Sequence, residues 1–234
     1  MRLMSGRSNR RQEPKARAAP AESRVETIIR HIKLNIRNGG YAPGQRLIEA
    51  DVQRLTGASR GPVREAMRRL GAEGLLEIHH QKGARVRRLT RSEVENLYDV
   101  REVIEGLAAH RAATHAKDPS FRNGLTALEK SFAKDFDGSP RSYMAYNERF
   151  HEFIVRRSGN AQLERLVAEL QVPVFMLRLY SIIDHGVIEQ AHAEHVEIVR
   201  YLLRGDGERA ERAMRKHIRS TKLRVLRKAA LLTP

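Results

Sequence analysis

The sequence predicts a mainly α protein in two parts. An N-terminal winged helix-turn-helix with a small β-hairpin wing precedes a C-terminal all-α antiparallel helical bundle. Two observations predict this, and a third bears on the partner. Residues 47–88 hold two short helical patterns separated by a glycine, then two β-suited runs around a Gln81-Lys82-Gly83 turn. From Thr90 onward apolar residues recur at helical spacing and no strand alternation is present. A formal net charge of +16 on 234 residues points to an anionic partner, either nucleic acid or an anionic membrane surface.

Taken in order, residues 1–22 are rich in Arg, Ser, Pro and Ala without apolar periodicity. They read as a disordered basic tail that adds non-specific phosphate attraction or serves only as a solvated leader. The winged domain spans residues 23–89. It opens with a helix whose stripe is Val25, Ile28, Ile29, Ile32 and Ile36, ended by Asn38-Gly39-Gly40. Ile48, Val52 and Leu55 predict the buried face of a second helix, stopped by Gly57. Ser59 is placed to cap a third helix, and Pro62 falls in its first turn, where a missing N–H is harmless. Val63, Met67 and Leu70 turn inward, Arg60, Arg64 and Arg68 share the opposite face, and Gly71 and Gly74 mark the end. The runs LLEIHH and ARVRR form the hairpin.

The bundle spans residues 90–234. Thr90-Arg91-Ser92-Glu93 has the capping-box form, followed by Val94, Leu97, Tyr98, Val100 and Ile104 at helical spacing. Further helices are predicted over 121–136 and from Ser139-Pro140 to Arg157, with a break at Gly159-Asn160. The next runs from Leu163 to Ile183, kinked at Pro173. After a break at Gly186, helices over 187–204 and 208–230 are joined at Gly205-Asp206-Gly207.

Composition excludes several functions. Aromatics make up 5% of the chain and Trp is absent, against single-strand binding by stacking platforms. No cysteine is present, so disulfides, thiolate metal sites and cysteine catalysis are excluded. No apolar run approaches the ~20 residues that span a bilayer, and the basic N-terminus has no apolar segment behind it, so no membrane or secretory role is expected. A cytoplasmic, nucleoid-associated protein is the expectation.

Two constellations carry chemistry. A short helix with arginines near its exposed N-terminal end has the size of the DNA major groove, where a guanidinium bonds guanine O6 and N7 together. Three arginines alone would equally suit a solvated basic helix; the surrounding helix–turn–helix–wing pattern favours DNA. In the bundle, Asn147 and His151 share a helix face. His195 and His217 each lie about 16 Å from the turn between the last two helices, so antiparallel packing sets them side by side. Three imidazoles from three helices suit a divalent transition metal, zinc or nickel. Against this, the chain has ten histidines.

The stretch APGQRLIEADVQRLTGASRGPVREAMRRLGAEGLLEIHHQKGARV resembles the winged helix-turn-helix of the GntR family of bacterial transcription regulators. Pro43, Gly44, Leu47, Gly57, Ser59, Arg60, Pro62 to Ala66, Leu70, Glu73, Gly74, Leu75 and Gly83 carry the likeness. It implies DNA contacts from Arg46, Ser59, Arg60, Gly61 and Arg64, with the wing tip at His80, Lys82 and Gly83 meeting the minor groove or backbone. Gly61 departs from the family's small polar residue. YNERFHEFIVRRSGNAQL and AEHVEIVRYLLRGDGERAERAMRKHI resemble the FCD ligand domain of the FadR-like branch. That likeness implies a metal held by Asn147, His151, His195 and His217, with asparagine where the family has aspartate. His192 reads as a surface residue or spare ligand. Arg101 stands at a family arginine position that faces an effector carboxylate; its alternative is an intrahelical pair with Glu105.

These readings imply a homodimeric, ligand-responsive DNA-binding regulator, expected to repress, that reads a palindromic double-stranded operator and binds a small carboxylate effector, and not an enzyme. Two alternatives stand beside it. One is a metalloenzyme built on the histidines, with Glu148, Glu152 or Glu194 as general base. The other is an architectural protein that coats DNA without sequence preference.

Overall fold

The computed structural model describes residues 23–37, 39–79, 83–170 and 185–227. The basic tail, the wing tip at 80–82, Pro173 and the end of the last predicted helix lie outside the described residues.

The first part of the chain forms α1 (Arg24–Arg37), β1 (Arg46–Leu47), α2 (Glu49–Thr56), α3 (Arg60–Ala72), β2 (Leu76–His79) and β3 (Gly83–Val86). Ile28, Ile29, Ile32 and Ile36 bury the α1 stripe against the Val63, Met67 and Leu70 face of α3, and Ala66 joins them. The wing differs from a two-stranded hairpin. β1 pairs antiparallel with β3 (Arg46↔Arg85, Leu47↔Ala84), giving a three-stranded sheet in the order β1-β3-β2. Two residues are too short a run for alternation to reveal in sequence.

The expected face of α2 is also corrected. Val52 is buried, but Ile48 is 47% and Leu55 58% exposed. Ile48 is not helical; it occupies the N-cap in an extended conformation. The eight-residue helix therefore meets α3 along one narrow edge. Gly57 ends α2 at φ 62°, the left-handed conformation that lets the chain turn tightly into α3.

The second part is helical throughout among the described residues. It comprises α4 (Arg91–Ala112), a short 3-10 turn (Ala113–His115), α5 (Pro119–Asp135), α6 (Pro140–Arg157), α7 (161–170), α8 (His185–Arg204) and α9 (Gly207–Arg227). Thr90 closes the capping box: its hydroxyl accepts from Glu93 N at 3.2 Å, and Glu93 Oε2 accepts from Thr90 N at 2.8 Å. Asp118 and Ser139 cap α5 and α6. Gly186, where a break was expected, is itself helical, within α8, and the residues just before that helix lie outside the described residues. Val100 leaves the α4 core stripe and is half exposed. Two separate apolar clusters result, one drawn from residues 28–86 and the other from 94–226. α4 packs along α9 and α6, and α8 packs along α9.

Gly83 has two reasons to be glycine. Its φ is 84°, and an added Cβ would stand 2.8 Å from the Leu47 carbonyl oxygen across the β1–β3 ladder. Gly61, in contrast, has open space around an added Cβ. Gly83→Ala is expected to destabilise the winged domain by about 1–3 kcal/mol, the scale of a strained backbone conformation. Gly61→Ala is expected to be neutral or to stabilise by up to about 1 kcal/mol. Denaturant titrations of the two variants check both signs.

Candidate nucleic-acid interface and histidine centre

The α3 surface begins at Ser59, which occupies the N-cap in an extended conformation but makes no capping hydrogen bond with its side chain. Arg60, Arg64 and Arg68 project from the exposed face, with side chains 60–69% accessible. Their partners separate them. Arg68 gives both Nε and Nη2 to Glu65, at 2.9 and 2.8 Å, closing its fork within the helix. Those bonds from Arg68, with one from Arg69, hold the Glu65 carboxyl down at about 2. Arg60 and Arg64 give only Nε, at 3.2 and 3.0 Å, to the two oxygens of Glu49 on α2. Their terminal amino groups form no hydrogen bond with any described residue.

A cleft of about 620 Å³ lies between α3, the start of α2 and the sheet, bordered by Arg46, Glu49, Arg60, Arg64, His79 and Gly83. Of the residues expected at DNA, Arg46, Arg60, Arg64 and Gly83 thus border one cleft. Ser59 and Gly61 lie exposed at the start of α3. His80 and Lys82 fall outside the described residues.

In the bundle, His151 on α6, His195 on α8 and His217 on α9 converge. One ring nitrogen from each lies within 4.8 Å of the others, and all three side chains are buried. His195 Nε2 and His217 Nε2 are 3.2 Å apart. His217 Nδ1 lies 2.7 Å from Glu194 Oε2, and His151 Nδ1 lies 2.5 Å from Glu105 Oε2. A carboxylate beside Nδ1 keeps the proton on that nitrogen and leaves the Nε2 lone pair for the centre. Burial pushes the Glu194 carboxyl up, but hydrogen bonds from His217 and Arg224 outweigh it and leave the group below its ordinary range.

This donor set fits a divalent transition metal. Imidazole nitrogens bond such ions at about 2.0–2.1 Å, so three within this spacing can share one ion, and carboxylate-oriented histidines are the usual support. Asn147, one turn before His151 on α6, is 2% exposed, and its amide nitrogen finds no partner among the described residues. His192 stays outside the triad and stacks on Phe132, with ring centroids 3.6 Å apart. Its burial depresses its basicity.

Arg101 does form the intrahelical pair. Its Nε lies 2.7 Å from Glu105 Oε1, and the two residues are 5% and 1% exposed. The pair is not an alternative to a place beside the centre, because the other oxygen of Glu105 holds His151. Arg101 Nη1 and the hydroxyl of Tyr98, whose ring lies 5.1 Å under the guanidinium, are buried and have no partner among the described residues. Glu105 was legible only as a mate for Arg101, and Tyr98 only as a core residue. The available signal for Glu194 was its position immediately before His195.

A three-helix unit with a basic, cleft-facing helix and a β wing, continued by a helical bundle with a buried polar centre, defines a DNA-binding regulator with its own sensor domain. Known proteins place it more closely. Residues 24–86 match the model of the gntR family of bacterial regulatory proteins, and residues 96–220 match the FCD domain. The chain is 32% identical over 189 residues to a protein of Paenarthrobacter nicotinovorans named "Probable D-xylose utilization operon transcriptional repressor", covering 80% of this chain and 82% of that one. It is 26% identical to the HTH-type transcriptional repressor RspR of Escherichia coli, covering 85% and 87%. The solved structure of E. coli McbR/YncC superposes with a TM-score of 0.77 at 20% identity, over 88% of this chain and 98% of that one. The chain belongs to the GntR family of transcription regulators, in the group that carries an FCD effector-binding domain. The metalloenzyme and architectural readings find no support among these relatives. Among the described residues no helix is long and apolar enough to cross a membrane.

Because Glu105 compensates a buried guanidinium and orients a buried imidazole, Glu105→Leu is expected to destabilise the bundle by about 3–5 kcal/mol. Adding Arg101→Met, which removes the stranded cation, is expected to recover a large part of that loss. Urea denaturation of the single and double variants measures both.

Proposed function

We propose that this regulator reads a palindromic operator as a homodimer and that its sensor centre binds a divalent metal together with a small carboxylate. The observation that carries the reading is the convergence of three buried imidazoles beside a buried arginine that keeps one terminal nitrogen unsatisfied. Asn147 Oδ1, His151, His195 and His217 would hold the ion. An amide oxygen brings no charge, so the asparagine gives a weaker site than aspartate would. Bound there, the ion supplies positive charge to which a carboxylate can attach. Arg101 Nη1 and the Tyr98 hydroxyl then offer two donors for the same anion, and their desolvated setting strengthens such bonds.

On the DNA side, Arg60 and Arg64 read base edges through their terminal amino groups. Arg46, Ser59, Gly61 and the wing residues His80, Lys82 and Gly83 contact the backbone or the minor groove. One recognition helix covers a half-site, so two copies are required. Val100, Val103 and Leu107 lie exposed along α4 at helical spacing and give an apolar stripe for the contact between copies.

Two measurements test this. Against duplex DNA from the region upstream of the chain's own coding sequence, Arg60→Ala and Arg64→Ala should each weaken specific binding by about 1–3 kcal/mol and relax base preference at one position. Variants that bind as wild type does would remove the assignment. Zinc or nickel should raise the melting temperature of the wild-type chain, by about 2.7 kcal/mol of added stability at a hundredfold excess over Kd, and a chelator should reverse it. His195→Ala should abolish the response, and a panel of small carboxylic acids should add to it only in the wild type. No stabilisation by any metal or acid would end the sensor reading.

A further inference from the structure

We propose that Glu49 is a positioning residue that sets the register of the two base-reading guanidinium groups and thereby contributes to sequence specificity. The inference rests on the reading of Arg60 and Arg64 as base readers and adds a residue that sequence patterns do not single out.

The geometry is a shared clamp. Glu49 stands at the first position of α2, eleven and fifteen residues before its partners. Its Oε2 accepts from Arg60 Nε and its Oε1 from Arg64 Nε, so one carboxylate ties two consecutive turns of α3. A bond at Nε restricts the long aliphatic stem while leaving the terminal amino edge outward. Free arginine side chains carry about 2 kcal/mol of rotamer entropy, and a fork held in advance loses less of it when it meets a base. Arg68 on the same face shows the opposite arrangement, with its fork spent on Glu65.

Charge makes the position of Glu49 informative. A carboxylate bordering a cleft for DNA repels the phosphates, so it lowers affinity for any duplex. Its side chain is 25% exposed and faces that cleft. A group that opposes general binding while fixing two donors trades affinity for discrimination. The start of α2 favours an anion there, because Ile48 provides no side-chain cap and the N-terminal end of a helix carries partial positive charge. A purely local role as a helix-end charge is therefore the competing account.

The experiment starts from a randomised duplex library enriched on the full-length wild-type chain. The winning duplex and a scrambled duplex of equal length are then titrated with wild type, Glu49→Ala and Glu49→Gln at two salt concentrations. Glu49→Ala should lower the ratio of winner to scrambled affinity by about tenfold, the scale of one well-made bidentate base contact. Its binding to the scrambled duplex should be unchanged or tighter. Glu49→Gln, which keeps one acceptor, should fall between. The melting temperature reports the helix-end role separately. An unchanged ratio in Glu49→Ala, even with both affinities raised, overturns the positioning role. So does a parallel loss of both affinities with a lowered melting temperature. If wild type enriches no sequence, the base-reading assignment fails first and this inference with it.

Discussion

A carboxylate with almost no access to water has to be compensated, and Glu105 is the place where the sensor domain meets that demand. An uncompensated buried ion is destabilising by several kcal/mol, so its neighbours are not free to vary independently. Arg101, one turn away on the same helix, supplies the charge, and His151 on α6 supplies a second contact. The first lies within α4; the second crosses to α6 and ties the two helices. With α6 placed, His151 faces His195 and His217; Glu194, with Arg224 behind it, orients His217, and His195 stacks on Phe150. Two carboxylates of opposite origin, one from α4 and one from α8, thus frame the three rings.

α4 also reaches the other domain. Its first turn is closed by the Thr90–Glu93 capping box, and Glu93 bonds Arg87, whose backbone N donates to Leu75 O beside the sheet. The Glu93 carboxyl sits below its ordinary range; the bond from Thr90 N contributes most, burial opposes it, and Arg87 adds to it. The same helix that carries Arg101 and Glu105 is therefore tied at its start to the end of the wing. Fifteen residues or fewer separate the two ties, about 20 Å of continuous helix.

Much of this was legible in the sequence, and the failures have physical causes. Periodicity located α1, α3 and α5 and the inward faces of the first two, because long apolar stripes have one stable disposition. Cap chemistry located the starts of α4 and α6, while the Asp118 cap that opens α5 at Pro119 was missed. The pairing of His195 with His217 followed from helix rise, since two positions equidistant from a tight turn come level; His151 joined them only through the family resemblance. What escaped depended on tertiary pairing. The two-residue β1 has no period to detect. Ile48 and Leu55 matched a buried stripe that an eight-residue helix has no partner to cover. Glu105 and Glu49 are ordinary acidic residues in a helical pattern, and only their distance to residues 46 and up to 15 positions away gives them a role.

Any effect of ligand on DNA binding must come from a difference in ligand affinity between two arrangements of the molecule. The structure limits where that difference can arise. Glu105 holds both the arginine proposed to meet the carboxylate and one of the histidines proposed to meet the ion. A ligand that draws Arg101 or His151 inward must change the Glu105 bonds, and those bonds set the lie of α4. α4 has no built-in hinge to absorb such a change, for no proline or internal break interrupts residues 91–112. The displacement therefore emerges at the Thr90–Glu93 end, where it reaches Arg87 and the wing. In the dimer proposed above, with its contact on the outer face of α4, the same displacement would alter the separation of the two recognition helices. A palindrome with fixed half-site spacing tolerates little of that.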